Sequence, residues 1–272
     1  MRLGIFSDVH SNLEALRAVR KAYASENVDD FICLGDVVGY GADPNSCCDI
    51  VKELATHTVL GNHDAAVSDR MDYGYYYDAA RNALDWHRNQ VTEANYAWLR
   101  ELPYREDGKN ATFCHGSPRN LEAFDYIFTP AQAEMLLDEW DNLNHVTFIG
   151  HSHLTKAFAL WPDRVEEVFP PVIRLRDECK YIVTVGSVGQ PRDNDNRACC
   201  TMFDTDEKAI IYHRVRYNIR SAAKKMRTRL VSAASGSRSR ARWAKLSAPM
   251  PVPRGKLSMA SLSDDTWNGR GW

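Results

Sequence analysis

Short apolar runs closed by polar residues recur along much of the chain. Arg2–Ser7 (RLGIFS) reads as a short buried strand, Asp30–Leu34 (DFICL) as a second and Thr56–Leu60 as a third. Between the first two, Leu13, Leu16, Val19 and Tyr23 repeat at helical spacing behind Asn12, a residue suited to capping a helix. Asn45–Leu54 is a second helical stretch with Pro44 just before it. Strand, helix, strand, helix, strand predicts an α/β sheet. Asp78–Leu102 is helical by pattern, broken near Val91–Thr92, and Pro103 and Asp107-Gly108 mark its exit and a turn. Ala111–Cys114 predicts another strand, Pro130–Trp140 a helix and Val146–Ile149 a strand. From Lys156 the pattern is mostly β, with runs at Lys156–Trp161, Arg164–Phe169, Tyr181–Val185, Ala198–Asp204 and Ala209–Val215. This half predicts a second, largely antiparallel sheet, and two sheets with helices outside make a layered sandwich. The pattern divides the chain into a body over 1–217, a basic helix over 218–234 and a disordered basic tail over 235–272, rich in Ser, Pro, Arg and Gly.

Composition changes this picture little. With 44% hydrophobic and 26% charged residues the chain resembles an ordinary soluble protein. No stretch approaches the roughly 18 apolar residues of a membrane span, and MRLGIFSDVHSNLEAL meets acidic residues too early for a signal peptide. Seven cysteines, an odd count with no CxxC pair, argue against a disulfide framework or zinc ribbon and for reduced thiols in a cytoplasmic protein. Charge changes the picture more. Residues 1–207 hold 19 basic and 34 acidic residues, net −15, whereas residues 208–272 hold 15 and 2, net +13. A basic tail such as Arg238, Arg240, Arg242 and Lys245 around Trp243 can meet nucleic acid or an anionic surface, although an extension without a specific partner is the plainer expectation.

The predicted strands end in polar clusters of one kind: Asp8-Val9-His10, Gly35-Asp36, Gly61-Asn62-His63-Asp64, His115-Gly116 and Gly150-His151-Ser152-His153. Alone, each is weak, since Gly-Asp is a common turn and Asp-x-His is frequent. Open α/β sheets bind ligands at the carboxyl ends of strands, so five such clusters in this order point to one shared site. Five of the nine histidines lie in them, leaving His57, His87, His145 and His213 as surface or structural residues. Imidazole and carboxylate with one amide and no thiolate suit Mn, Fe, Zn or Ni rather than a structural zinc. Two such ions roughly 3.5–4 Å apart form the clamp used in phosphoryl transfer, with a carboxylate bridging them.

This series resembles the calcineurin-like metallophosphoesterase superfamily over roughly Met1–Val215. The strings DVHSNLEAL, GDVVGYGADP, LGNHD, HGSPR, GHSHL and GSVGQPRD are similar to its compact bacterial and archaeal branch, often labelled diadenosine-tetraphosphatase-like or phosphodiesterase-like. The resemblance implies a four-layer α/β/β/α sandwich of two mixed sheets, and a phosphoesterase with two divalent ions, manganese first among them, acting on small phosphate esters, diesters or nucleotides by in-line attack of a metal-bound hydroxide. It implies Asp8, His10 and His153 as ligands of one metal, Asn62, His115 and His151 as ligands of the other, and Asp36 as the bridge. His63 would be the general acid or transition-state stabiliser, oriented by Asp64. A non-catalytic scaffold on the same fold, a nuclease and a protein phosphatase stay open as alternatives. Asn12 and Arg119 stand as substrate contacts or as a helix cap and a surface arginine. Arg192 is a further substrate contact or, in the glycine-rich turn Gly186–Asp193, the partner of Asp193 in a salt bridge. Asp78, Asn82 and Trp86 share a helical face that either caps the site or packs on the core.

Overall fold

Several central strands are apolar on both faces, and each face is covered by a different layer. In the computed structural model, which describes residues 1–236, the elements in chain order are β1 (Arg2–Phe6), α1 (Leu13–Tyr23), β2 (Asp30–Cys33), α2 (Pro44–Leu54), β3 (His57–Thr58), α3 (Asn62–Val67), α4 (Asp78–Gln90), α5 (Glu93–Glu101), β4 (Arg105–Asp107), β5 (Ala111–Cys114), α6 (Pro130–Glu134), β6 (Val146–Ile149), β7 (Ala157–Leu160), β8 (Val165–Val168), β9 (Val172–Arg174), β10 (Lys180–Thr184), β11 (Ala198–Asp204), β12 (Ala209–Val215) and α7 (Ile219–Gly236). They build two six-stranded mixed sheets, ordered β3-β2-β1-β11-β12-β9 and β4-β5-β6-β10-β7-β8.

Alternation along the strands sorts their side chains. Leu3, Ile5, Phe113, Phe148, Tyr181, Val183, Cys199 and Phe203 meet between the sheets. Phe6 and Cys200 face the other way, onto Leu16, Val19, Val51, Leu84 and Leu99 of the helices. Phe158, Leu160 and Ile182 likewise face outward from the second sheet, onto Ala133, Leu136 and Leu143. The result is the expected four-layer sandwich.

The strands after Lys156 do not form their own sheet, contrary to expectation. β9, β11 and β12 complete the first sheet, and β7, β8 and β10 join β5 and β6 in the second. Alternation reports that a strand is buried on two faces, not which edge it extends. Here β11 runs antiparallel beside β1, with Leu3 opposite Phe203, while β10 runs parallel to β6. Three elements lie outside the predicted pattern. β4 and β9 are three-residue edges, and α3 is buried all round, so it shows no amphipathic period. The helix expected over Pro130–Trp140 stops at Glu134 and resumes as a 3₁₀ segment, Leu137–Asn142, with Glu139 non-helical. α7 continues to Gly236, so Ser235 and Gly236 belong to it; the rest of the expected tail lies outside the described residues.

α1 is fixed to both halves of the first sheet by one side chain. The buried Tyr23 hydroxyl lies 2.9 Å from the Ile5 carbonyl oxygen and 2.8 Å from that of Thr201. Tyr23→Phe removes the one hydroxyl proton that these two buried carbonyls share. It is expected to lower unfolding stability by about 1–2 kcal/mol, read as a lower urea midpoint with unchanged slope; an unmoved midpoint contradicts this anchoring.

Candidate metal centre

The polar clusters following β1, β2, β5 and β6, together with the start of α3, meet at one end of the sandwich. To turn their side chains inward, the loops adopt left-handed backbone at Asp8 (φ 55°), His10 (47°), Asp36 (52°), His151 (63°) and His153 (59°). Each such residue without a glycine's freedom stores about 1–3 kcal/mol of strain. The conformation is held by a lattice of amides: Asp8 N–H donates to Gly35 O at 3.0 Å and His10 N–H to Asp36 O at 2.9 Å. The Gly186–Asp193 loop supports β1 from behind. Val188 N–H donates to Ser7 O and Gly189 N–H to Asp8 O at 2.9 Å, and a Cβ at Gly189 would stand 1.9 Å from the Val9 carbonyl oxygen. This loop therefore buttresses the ligands through its amides.

The side chains form three overlapping groups, Asp8/His10/His153, His10/Asp36/His63 and Asp36/His115/His151, with ligand atoms within 4.8 Å inside each group and every member buried. The hydrogen bonds fix which atoms point inward. Nδ1 of His10 faces the Val38 carbonyl at 3.1 Å, that of His115 the Leu34 carbonyl at 2.6 Å and that of His153 the Gln190 carbonyl at 2.6 Å. A carbonyl only accepts, so each Nδ1 carries a proton and each Nε2 is turned into the site. Nε2 of His10 and Nε2 of His153 then face one another at 3.0 Å. Asn62 donates its amide to the Tyr76 hydroxyl at 2.8 Å, which aims its Oδ1 at His115 Nε2, 3.2 Å away. Asp8 Oδ1 is buried with no hydrogen-bond donor. Inward acceptors with no donor between them could hold a cation, and the donor set suits a divalent one. Asp36 Oδ2 lies 3.6 Å from His10 Nε2 and 3.3 Å from His115 Nε2, between the two histidine pairs. Its Oδ1 accepts the His63 amide at 2.8 Å.

Burial lowers the pKa of His10 and His151, and takes that of His63 to about 4 despite the Asp36 charge. Burial also opposes protonation of His115, but Asp36, in contact with it, raises its pKa to about 9. Asp36 is in turn driven down by His115 and His63 against the desolvation that would raise it.

Asp8, His10, Asp36, Asn62, His63, His115, His151 and His153 are thus brought together. The other proposed contacts separate. Asp64 does not orient His63. Its Oδ1 accepts Val38 N–H at 3.0 Å and its Oδ2 accepts Val37 N–H at 3.1 Å, while His63 Nδ1 is buried without a partner. Asp64 instead holds the loop that carries Asp36, and burial together with Asp36 raises its pKa to about 7. His63 is seated by packing: its ring centroid lies 4.6 Å from that of Tyr40, and a Cβ on Gly39 would stand 2.4 Å from its Nδ1. Asn12 is a cap, accepting Ala15 N–H at 3.2 Å and donating to Gly189 O at 2.9 Å. Arg119 is a surface residue, paired with Glu139 at 3.1 Å and donating to Met135 O. Arg192 lies near the mouth of the site: its charge depresses His10 and His63, and its guanidinium donates to Gln190 Oε1 at 2.8 Å. The salt bridge expected between Arg192 and Asp193 is absent, because Asp193 pairs with Arg214. Trp86 packs under the Arg229 guanidinium, 4.3 Å from its ring centre. His87, also buried, bonds Ser11 and Ala83 as a structural residue.

Three tyrosines escaped the sequence reading. Tyr126 stacks on His151 at 3.9 Å and 17°, Tyr76 orients Asn62, and Tyr40 lies against both His10 and His63. Tyr40 lay inside GDVVGYGADP, the one available signal; Tyr76 and Tyr126 follow no period.

Inward-facing imidazoles and carboxylates at the strand ends of a two-sheet sandwich define a metal-dependent phosphoesterase scaffold. The chain belongs to the calcineurin-like phosphoesterase family, whose model matches residues 1–219. An uncharacterised protein of Methanocaldococcus jannaschii is 33% identical over 228 residues, covering 82% of this chain and 91% of that one. The crystal structure of a metallophosphoesterase from Sphaerobacter thermophilus is 34% identical, with a TM-score of 0.72 over 84% of this chain and 94% of that one. A hypothetical protein from Pyrococcus horikoshii, at 16% identity and a TM-score of 0.68 over 84% of this chain and 93% of that one, has the same fold.

Two outcomes follow from this geometry. Asp64→Ala strands two buried amides and is expected to destabilise the metal-free protein by about 1–3 kcal/mol in urea unfolding; wild-type stability contradicts its loop-holding role. A metal on His115 Nε2 must displace the proton held below a pKa of about 9, so affinity falls as pH falls below that value. Calorimetry at pH 7 in buffers of different ionisation enthalpy should therefore show about one proton released on Mn binding; none released contradicts the pairing of His115 with Asp36.

Proposed function

We propose that the protein hydrolyses small phosphate esters, diesters or nucleotides at a centre of two divalent ions, manganese being the first choice, with iron, zinc or nickel as substitutes. The observation that carries this reading is the cage of inward lone pairs around Asp36. Asp8, His10 and His153 would hold one ion and Asn62, His115 and His151 the other, with Asp36 shared by both. The ions would supply Lewis acidity, neutralising the phosphoryl oxygens and making water acidic enough to attack at neutral pH.

The chain's own groups define the remaining chemistry. Burial keeps His63 neutral near pH 7, so it carries a single N–H and donates a hydrogen bond to the leaving oxygen as charge develops there. Gly39 and Tyr40 fix the ring's position for that contact. Arg192 offers guanidinium donors at the mouth for a second oxygen of the phosphate. Tyr126, stacked on His151, holds that ring in register. A scaffold has no use for an intact set of buried acceptors under strain, which favours the enzyme. Seven buried, unpaired cysteines support a reducing compartment, and no helix among the described residues is long and apolar enough to cross a membrane.

The test is hydrolysis of bis-p-nitrophenyl phosphate and a nucleotide panel with added Mn. Asp36→Asn is expected to lose both bound metal and turnover. His63→Ala should keep its metal while kcat falls about 10²–10³-fold. A wild-type protein inactive with all four metals on every substrate would overturn the reading.

A further inference from the structure

The loop Gly39–Gly41 sits between the metal cage and α7, and its two sides are held by different parts of the chain. On the site side, Gly41 N–H donates to His10 O at 2.9 Å, and the Tyr40 ring lies 4.8 Å from that of His10 and 4.6 Å from that of His63. The backbone is left-handed at Gly39 (φ 95°) and Tyr40 (φ 51°). For Tyr40 this is strained, so the loop needs outside contacts to keep its shape. On the far side, the carbonyl groups of Tyr40 and Gly41 point away from the cage. Arg229 of α7 donates to both from one nitrogen, at 2.7 Å to Tyr40 O. Its guanidinium is sandwiched in place by Trp86 at 4.3 Å. Burial lowers its pKa to about 10, which leaves it charged at neutral pH.

The helix is docked separately. Lys225 bridges Glu14 at 2.9 Å and Asp43 at 2.8 Å, and the Ser221 hydroxyl donates to Glu14. These contacts hold α7 on α1 and on the residue preceding α2. Arg229 is the α7 side chain that donates to the carbonyls behind Tyr40. Apart from its first residue, α7 also lies beyond the 1–219 segment that the family model matches.

We infer that Arg229 is a positioning residue for the reaction, clasping the Tyr40–Gly41 carbonyls so that Gly39 and Tyr40 seat His63. The inference rests on the phosphoesterase reading for its kinetic arm only. Without the clasp the two carbonyls lose a charge-assisted donor, the strained turn relaxes, and the wall behind His63 moves. A shift well under 1 Å there degrades the hydrogen bond to the leaving oxygen without touching the metal ligands.

The experiment compares full-length wild type, Arg229→Ala, Arg229→Lys and Lys225→Ala with Mn. Hydrogen exchange is followed over residues 38–43, with metal content, kcat and KM on bis-p-nitrophenyl phosphate. Arg229→Ala should speed exchange over 38–43 about tenfold or more and cut kcat about tenfold or more, with metal content unchanged and KM within about twofold. Arg229→Lys, which restores a donor and a charge, should return both readouts toward wild type. Lys225→Ala, which loosens helix docking but leaves the clasp, should keep both near wild type. Unchanged exchange over 38–43 in Arg229→Ala overturns the clasp, as does an equal loss in Lys225→Ala, since helix docking alone would then explain the effect. An inactive wild type would defeat the phosphoesterase reading, while the exchange measurement would still decide the clasp.

Discussion

Lone pairs that face one another in a buried space are unfavourable unless a cation lies between them, and this constraint organises the rest of the molecule. Backbone carbonyls take the Nδ1 protons of His10, His115 and His153, which forces their Nε2 atoms inward. The Tyr76 hydroxyl takes the Asn62 amide and turns its oxygen the same way. The His115–Asp36 pair is favourable in the metal-free chain, whereas the facing Nε2 atoms of His10 and His153 and the unpartnered Asp8 Oδ1 set acceptor against acceptor. A bound divalent ion would relieve that conflict, as in other sites where folding and metal binding are coupled. Left-handed backbone at five of the candidate ligands adds strain.

The sandwich exists in a form that can carry this load. The candidate ligands come from the ends of strands in both sheets, so the inter-sheet core of Leu3, Ile5, Phe148 and Val183 fixes the distance between them. The amides of Val188 and Gly189, the carboxylate of Asp64 and the capping side chain of Asn12 brace the loops from behind. Charge is divided along the same line. Three carboxylates of the acidic body, Asp8, Asp36 and Asp64, are buried at the site, and α7 sets Lys225 on two others, Glu14 and Asp43.

The clustering of the candidate ligands was legible in the sequence because they directly follow apolar runs, and a strand end is easily located. Asp8, His10, Asp36, Asn62, His115, His151 and His153 were readable on that ground. Adjacency misled where a side chain turns back across the chain. Asp64 follows His63 but bonds Val37 and Val38, and Arg192 precedes Asp193 while Arg214 takes that carboxylate. Arg119 followed the His115 cluster closely yet is drawn to Glu139 on the surface. Sheet membership was illegible because period-two burial is the same on either sheet, so β11 beside β1 could not be foreseen. Tyr76 and Tyr126 lie in segments without periodicity, and only the folded chain brings their rings to Asn62 and His151.

The central claim, that the cage around Asp36 is built for cations, is tested most directly by metal stoichiometry. Chain stripped with chelator, dialysed against Mn and freed of excess ion would be assayed by elemental analysis. The account predicts about two equivalents per chain, as a dinuclear centre requires. A stripped, folded chain that takes up no Mn, Fe, Zn or Ni would contradict it.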